Sequence, residues 1–177
     1  MKLVKGDIVG VAGNGLVSWL IKIFERSPGE NKSVISHVGM IVTDADSASA
    51  DIVESLAQGT IRRPVSSYKS GKLYIMRNRG MVQTNADKIV AKAIEYVGDK
   101  YGFLKIIAHA GDYFLGGKYF FRRLCRIDNY PICSWVVAHA YSTIDYRFKG
   151  LDPDLVQPDD IWDHCQTNLA AWEVFKL

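Results

Sequence analysis

The chain has 177 residues, 48% hydrophobic and 23% charged, a globular composition long enough to bury about two-thirds of its unfolded surface, and it reads as a single domain, 1–177. A net charge of +3 with no run of five like charges argues against a nucleic-acid partner. The three cysteines, at 125, 133 and 165, are too few and too odd in number for a disulfide framework and point to a reducing compartment, with a Cys125–Cys133 bridge as the alternative.

The opening "MKLVKGDIVGVAGNG" meets charge at Lys2, Lys5 and Asp7 before any apolar run, so no signal peptide is expected and the expected location is cytoplasmic. Nowhere do 18 uncharged apolar residues follow one another, so no transmembrane segment is expected.

Residues 3–11 read as a Val- and Ile-rich strand broken by Gly6 and Gly10. Leu16, Val17, Leu20, Ile21 and Phe24 then recur at helical spacing, and 28–33 is a loop. Residues 34–42 and 50–57 read as strands around the polar connection "TDADSAS", and 72–78 as a further strand. A helix follows, capped by Thr84, Asn85 or Asp87, with Ile89, Val90, Ala93, Ile94 and Val97 on its apolar face and Gly98 as its stop. "CSWVVAHAYSTI" (133–144) is a helix candidate, and 152–165 is read as a loop running into a short turn. Strands first and helices later give an α+β class rather than an alternating parallel sheet.

The chemistry starts at the "TDADSAS" connection. A hairpin symmetric about residues 45–46 sets Met40 opposite Asp51, Gly39 opposite Ile52 and His37 opposite Glu54. Opposed residues share a face, with Cβ atoms about 4.5–5.5 Å apart. A one-residue slip would separate them. A carboxylate beside an imidazole fixes its tautomer and favours the charged ring, which suits a base serving a thiol. The plainer alternative is a cross-strand pair on a solvated face.

Cys133 falls in the first turn of its helix, where unpaired N–H groups and the helix dipole favour a thiolate and can receive an oxyanion. The plainer alternative is a buried structural cysteine. Cys125, among the arginines of "RRLCRID", is the competing thiol. His139 lies about 240° around the helix from Cys133 and should face elsewhere. His109 and His164 lack an acidic or thiol partner at useful spacing. Zinc would call for close Cys or His pairs, which the sequence does not contain, so no metal is expected.

The order "GDIVGV" (6–11), "SHVGMIV" (36–42), then "CSWVV" (133–137) resembles the circularly permuted branch of the NlpC-type papain-like cysteine peptidases and amidases, a branch that includes relatives of lecithin:retinol acyltransferase. "IVESLAQGTIRRPVSSY" (52–68) resembles the segment carrying the third polar residue, and "PDDI" (158–161) one that follows the nucleophile helix. The resemblance implies a small antiparallel sheet packed against the nucleophile helix, Cys133 as nucleophile, His37 as base and Glu54 as orienting residue. It also implies Tyr101, in "GDKYG", as the tyrosine lining the oxyanion site, although 31 residues lie between it and Cys133. Pro131-Ile132 stand in place of the usual aspartate before the cysteine. Glu54 stands where many relatives carry a second histidine, which favours a hydrolase over the acyltransferases.

The expected activity is cleavage of an amide, peptide or isopeptide, through an acyl-enzyme without metal or organic cofactor, cell-wall peptide being one candidate substrate. Alternatives are a lipid or thioester acyl hydrolase or acyltransferase on the same triad, and a non-catalytic binding module. The aromatic and basic stretch 112–126 reads either as a core helix with a basic end or as a wall of the cleft. An active hydrolase should gather the triad at an open cleft, whereas a scaffold would leave Cys133 buried.

Overall fold

A computed structural model describes residues 1–13, 33–56, 58–68, 72–100 and 132–177. The helical pattern over 16–24, His109, Tyr101, Cys125 and the stretch 112–126 lie outside the described residues.

The first strand reading splits in two. β1 (Lys2–Leu3) ends at a turn in which Gly6 takes φ +85°, and β2 (Ile8–Ala12) begins after it. Asp7 closes the turn: its amide donates to the Val4 carbonyl and its carboxylate accepts from the Val4 amide. Gly6 therefore breaks the strand because the turn needs a left-handed residue. Gly10 does not break it: it pairs with Val38 on one side and Tyr74 on the other.

β3 (His37–Ile41), β4 (Ala45–Asp46), β5 (Asp51–Leu56), β6 (Gly59–Pro64) and β7 (Lys72–Asn78) follow. The last strand, β8 (Trp172–Lys176), lies near the C-terminus. Six of these form an antiparallel sheet in the order β6-β5-β3-β2-β7-β8, and β1 pairs with β4 in a separate ribbon. Neither β6 nor β8 was expected from the sequence. β6 alternates weakly, because its edge position lets Ile61, Arg62 and Arg63 stand partly in solvent. β8 carries little β-patterning beyond Trp172, Val174 and Phe175.

Alternation along the strands makes two apolar faces. Ile8, Val38, Met40, Val53 and Met76 point to the helices, while Val9, Val11, Ile41, Ile52 and Ile75 pack on the other side with Leu3 and Val65. The helices on the first face are α1 (Gln83–Glu95), α2 (Cys133–Ser142) and α3 (Pro158–Thr167). The result is α+β, with antiparallel sheets and three described α-helices. None of these helices is long and apolar enough to cross a membrane.

Two helix readings are corrected. α1 starts at Gln83 behind Val82, without a side-chain cap, so Thr84, Asn85 and Asp87 sit inside the helix. The cause is the tight turn before it, where the Asn78 side chain accepts from the Gly80 amide and its carbonyl from Met81. α1 buries Ala86, Ile89, Val90 and Ala93, but Ile94 and Val97 remain exposed. Residues 152–165 are not a loop and a turn: a 3-10 turn (Pro153–Leu155) leads into the ten-residue α3. Pro158 at its first turn and a capping box between Gln157 and Asp160 start that helix.

Candidate active site

Three segments meet at the carboxylate of Glu54, which is fully buried in β5. From β3, His37 Nε2 lies 2.5 Å from Glu54 Oε2. From β6, Arg63 Nε donates to Oε1 at 2.5 Å. From the turn after β6, the Tyr68 hydroxyl donates to Oε2.

The register differs from the symmetric hairpin. Met40 pairs with Val53 and Ile41 with Ile52, so β5 has slid by two residues, because Ala45 and Asp46 leave the turn to pair with β1. An even slip preserves the faces. Glu54 therefore stays on the His37 side and meets it diagonally rather than directly across. Gly39 makes that approach possible, since a Cβ there would lie 3.0 Å from Glu54 Cβ and 2.6 Å from Ile52 Cδ1.

Burial alone would push Glu54 toward the neutral acid, but the hydrogen bond and charge of His37, then Tyr68 and Arg63, outweigh it and lower its pKa below the usual carboxylate value. The Tyr68 phenol is driven the other way, raised first by burial and then by the charge of Glu54, so it remains a donor.

Cys133 is the first residue of α2, behind Ile132 in extended conformation. Ser134 Oγ donates to the Val156 carbonyl at 2.7 Å, and Trp135 Nε1 to Asp154 Oδ1 at 2.7 Å, tying this helix start to the segment before α3. The amides at the start of α2 have no carbonyl ahead of them in the helix. Cys133 is the other group that acts on His37. Burial would lower the imidazole pKa, but the charge and hydrogen bond of Cys133, followed by those of Glu54, raise it to about 10. Because Glu54 occupies Nε2, the ring nitrogen left for the thiol is Nδ1. That is the tautomer in which Nδ1 can take a thiol proton. The His37 side chain is 17% exposed, whereas Cys133 is only 8% exposed.

The other candidates lie elsewhere. His139 turns away from this cluster to Asp154, 2.9 Å away, and stacks on Trp135. His164 sits among aromatic rings with Nε2 2.7 Å from the Tyr146 hydroxyl. Cys165 is buried, and burial pushes its thiol pKa up. Among the described residues no three His, Cys, Asp or Glu side chains form a group that could hold a metal. A cavity of about 600 Å³ lies beyond the other end of β3, lined by Lys5, Asp7, Arg77 and Glu173 among others. Its Asp7 and Arg77 are held by each other in a two-point ion pair.

Sequence reading missed Arg63 and Tyr68. The signal was the pairing of Leu56 with Gly59, whose register sets Arg63 opposite Ile52 and hence on the face of Glu54. No family model matches this chain, and no curated protein matches it.

Proposed function

We propose that this chain is a thiol hydrolase with a permuted papain-like, NlpC-type fold, cleaving an amide in a peptide or isopeptide. The observation that carries the reading is the 2.5 Å contact of His37 Nε2 with the buried Glu54 carboxylate, beside Cys133, whose charge is the largest influence raising the His37 pKa. Cys133 passes its proton to His37 and the thiolate attacks the substrate carbonyl carbon. Amides at the start of α2 receive the oxyanion, with Tyr101 as the further donor that the family resemblance suggests. The imidazolium returns its proton to the leaving nitrogen as the C–N bond breaks. His37 then takes a proton from water, whose oxygen attacks the thioester, and the C–S bond breaks to release the acid and the thiol. Glu54 orients the ring and offsets its charge.

The test is amine release from a panel of peptide p-nitroanilides and isopeptides, with mass spectrometry of the acid-quenched enzyme. An acyl adduct on Cys133, absent in Cys133→Ala, is the expected result. The absence of both adduct and release across the panel would overturn the reading.

The low exposure of Cys133 favours a second reading, a binding module in which the same cluster is structural. That reading predicts that Cys133 resists alkylation at every pH at which the fold persists.

A further inference from the structure

Two of the three groups holding Glu54, Arg63 and Tyr68, have no part in the chemistry above. Building on the thiol-hydrolase reading, we infer that Arg63 and Tyr68 are positioning residues that keep Glu54 a fixed carboxylate and so set the acid limit at which Cys133 reacts.

A carboxyl group with no solvent contact favours its neutral form. A proton on Oε2 would face the Nε2–H of His37, and the pair could be satisfied only by moving the imidazole proton to Nδ1. The ring would then have no lone pair for the thiol. The Arg63 guanidinium prevents this, because it is charged at every accessible pH and binds the oxygen that His37 does not use. Its Cζ lies 4.5 Å from the centroid of the Tyr68 ring, so the two side chains hold each other in place. Tyr68 completes the arrangement by donating to the oxygen that His37 also contacts.

The charges alternate from Arg63 to Glu54 to His37, the imidazole that adjoins Cys133. Arg63 favours the charged form of Glu54, and Glu54 that of His37. Among the described residues these and Tyr68 are the titratable groups meeting the cluster, from β6 and its following turn, β5, β3 and α2. Arg62 stands on the opposite face, where its guanidinium binds Asp51.

The experiment measures the rate of iodoacetamide labelling at Cys133 against pH in the full chain, by mass spectrometry, with a thermal melt of every variant. Wild type, Arg63→Gln, Arg63→Lys and Tyr68→Phe are compared. Arg63→Gln is expected to move the acid limb up by about one unit, roughly a tenfold slower rate at the foot of the limb, with the neutral plateau kept. Arg63→Lys restores the limb because it keeps the charge, and Tyr68→Phe shifts it the same way by less. A purely structural ion pair would change the melting temperature and leave the limb in place, and that result in folded Arg63→Gln and Tyr68→Phe would overturn the proposal. If Arg63→Gln does not fold, Tyr68→Phe decides alone, since it removes a single oxygen. A wild-type Cys133 that labels as an ordinary thiol defeats the hydrolase reading itself, and the positioning role with it.

Discussion

His37 and Glu54 meet at 2.5 Å across neighbouring strands, although the strand register sets them diagonally rather than face to face. The contact depends on what lies between them, which is Gly39 and the absence of its side chain.

Gly39→Ala is therefore a test of the site as much as of the core. Its Cβ would press on Ile52 Cδ1 at 2.6 Å and on Glu54 Cβ at 3.0 Å. The expected cost is about 1–3 kcal/mol in denaturant unfolding, together with slower alkylation of Cys133. Adding Ile52→Val removes the closer clash, so stability should partly return while reactivity does not. Recovery of both would mean that Glu54 had not been displaced.

Glu54→Gln removes the charge and leaves Arg63 facing an amide in a buried site. Loss of one partner from a buried ion pair costs about 3–5 kcal/mol. The same variant should lose most of the low-pH reactivity of Cys133, read by iodoacetamide labelling against pH. Unchanged stability in Glu54→Gln would show that the carboxylate is not the centre of the cluster.

His37 and His164 should bend the stability curve in opposite senses. His37 has a folded pKa of about 10, above an unfolded value of about 6.5, so its contribution is complete below pH 6.5 and is lost as pH rises toward 10. Its main raising influence is Cys133, so Cys133→Ala should flatten the alkaline slope in denaturant midpoints taken from pH 6.5 upward. A slope unchanged in that variant would place the titration elsewhere.

His164 behaves the other way. Burial, then the nearby positive charge of Lys149, lower its pKa, and its Nδ1 accepts from the Lys149 amide at 3.1 Å. The neutral ring then has its proton on Nε2, facing the Tyr146 hydroxyl that Trp172 Nε1 also binds. Stability from this group is present above about pH 6.5 and falls as the pH drops below it. His164→Gln should reduce the acid-side slope of the denaturant midpoint while leaving the alkaline slope in place.

The strands with strong period-two patterning were legible in the sequence, and residues 72–78 match β7 at both ends. So was the pairing of His37 with Glu54, for a reason that needed only parity: sliding by two residues keeps both side chains on one face. What sequence reasoning missed depends on long-range context. α3 is short, and its start rests on a capping box that spans Gln157 to Asp160 rather than on an apolar stripe. β6 owes its place to Leu56 closing on Gly59 and to the end of α1, where the Thr60 amide donates to the Asp99 carbonyl and its carbonyl accepts from Gly98. Arg63 could not be recognised as a partner of Glu54 until β6 was recognised as a strand.

The site is also divided along the chain. Residues 37–68 supply the imidazole, the carboxylate and both groups that hold it, whereas the sulfur comes from the first residue of a helix encoded well downstream. During synthesis the imidazole and its supports emerge first and can assemble as one meander of adjacent strands. Until α2 docks, Cys133 has no imidazole beside it. The meeting of sulfur and imidazole is thus a property of the finished fold, and a chain that stops or misfolds before that docking holds the two apart.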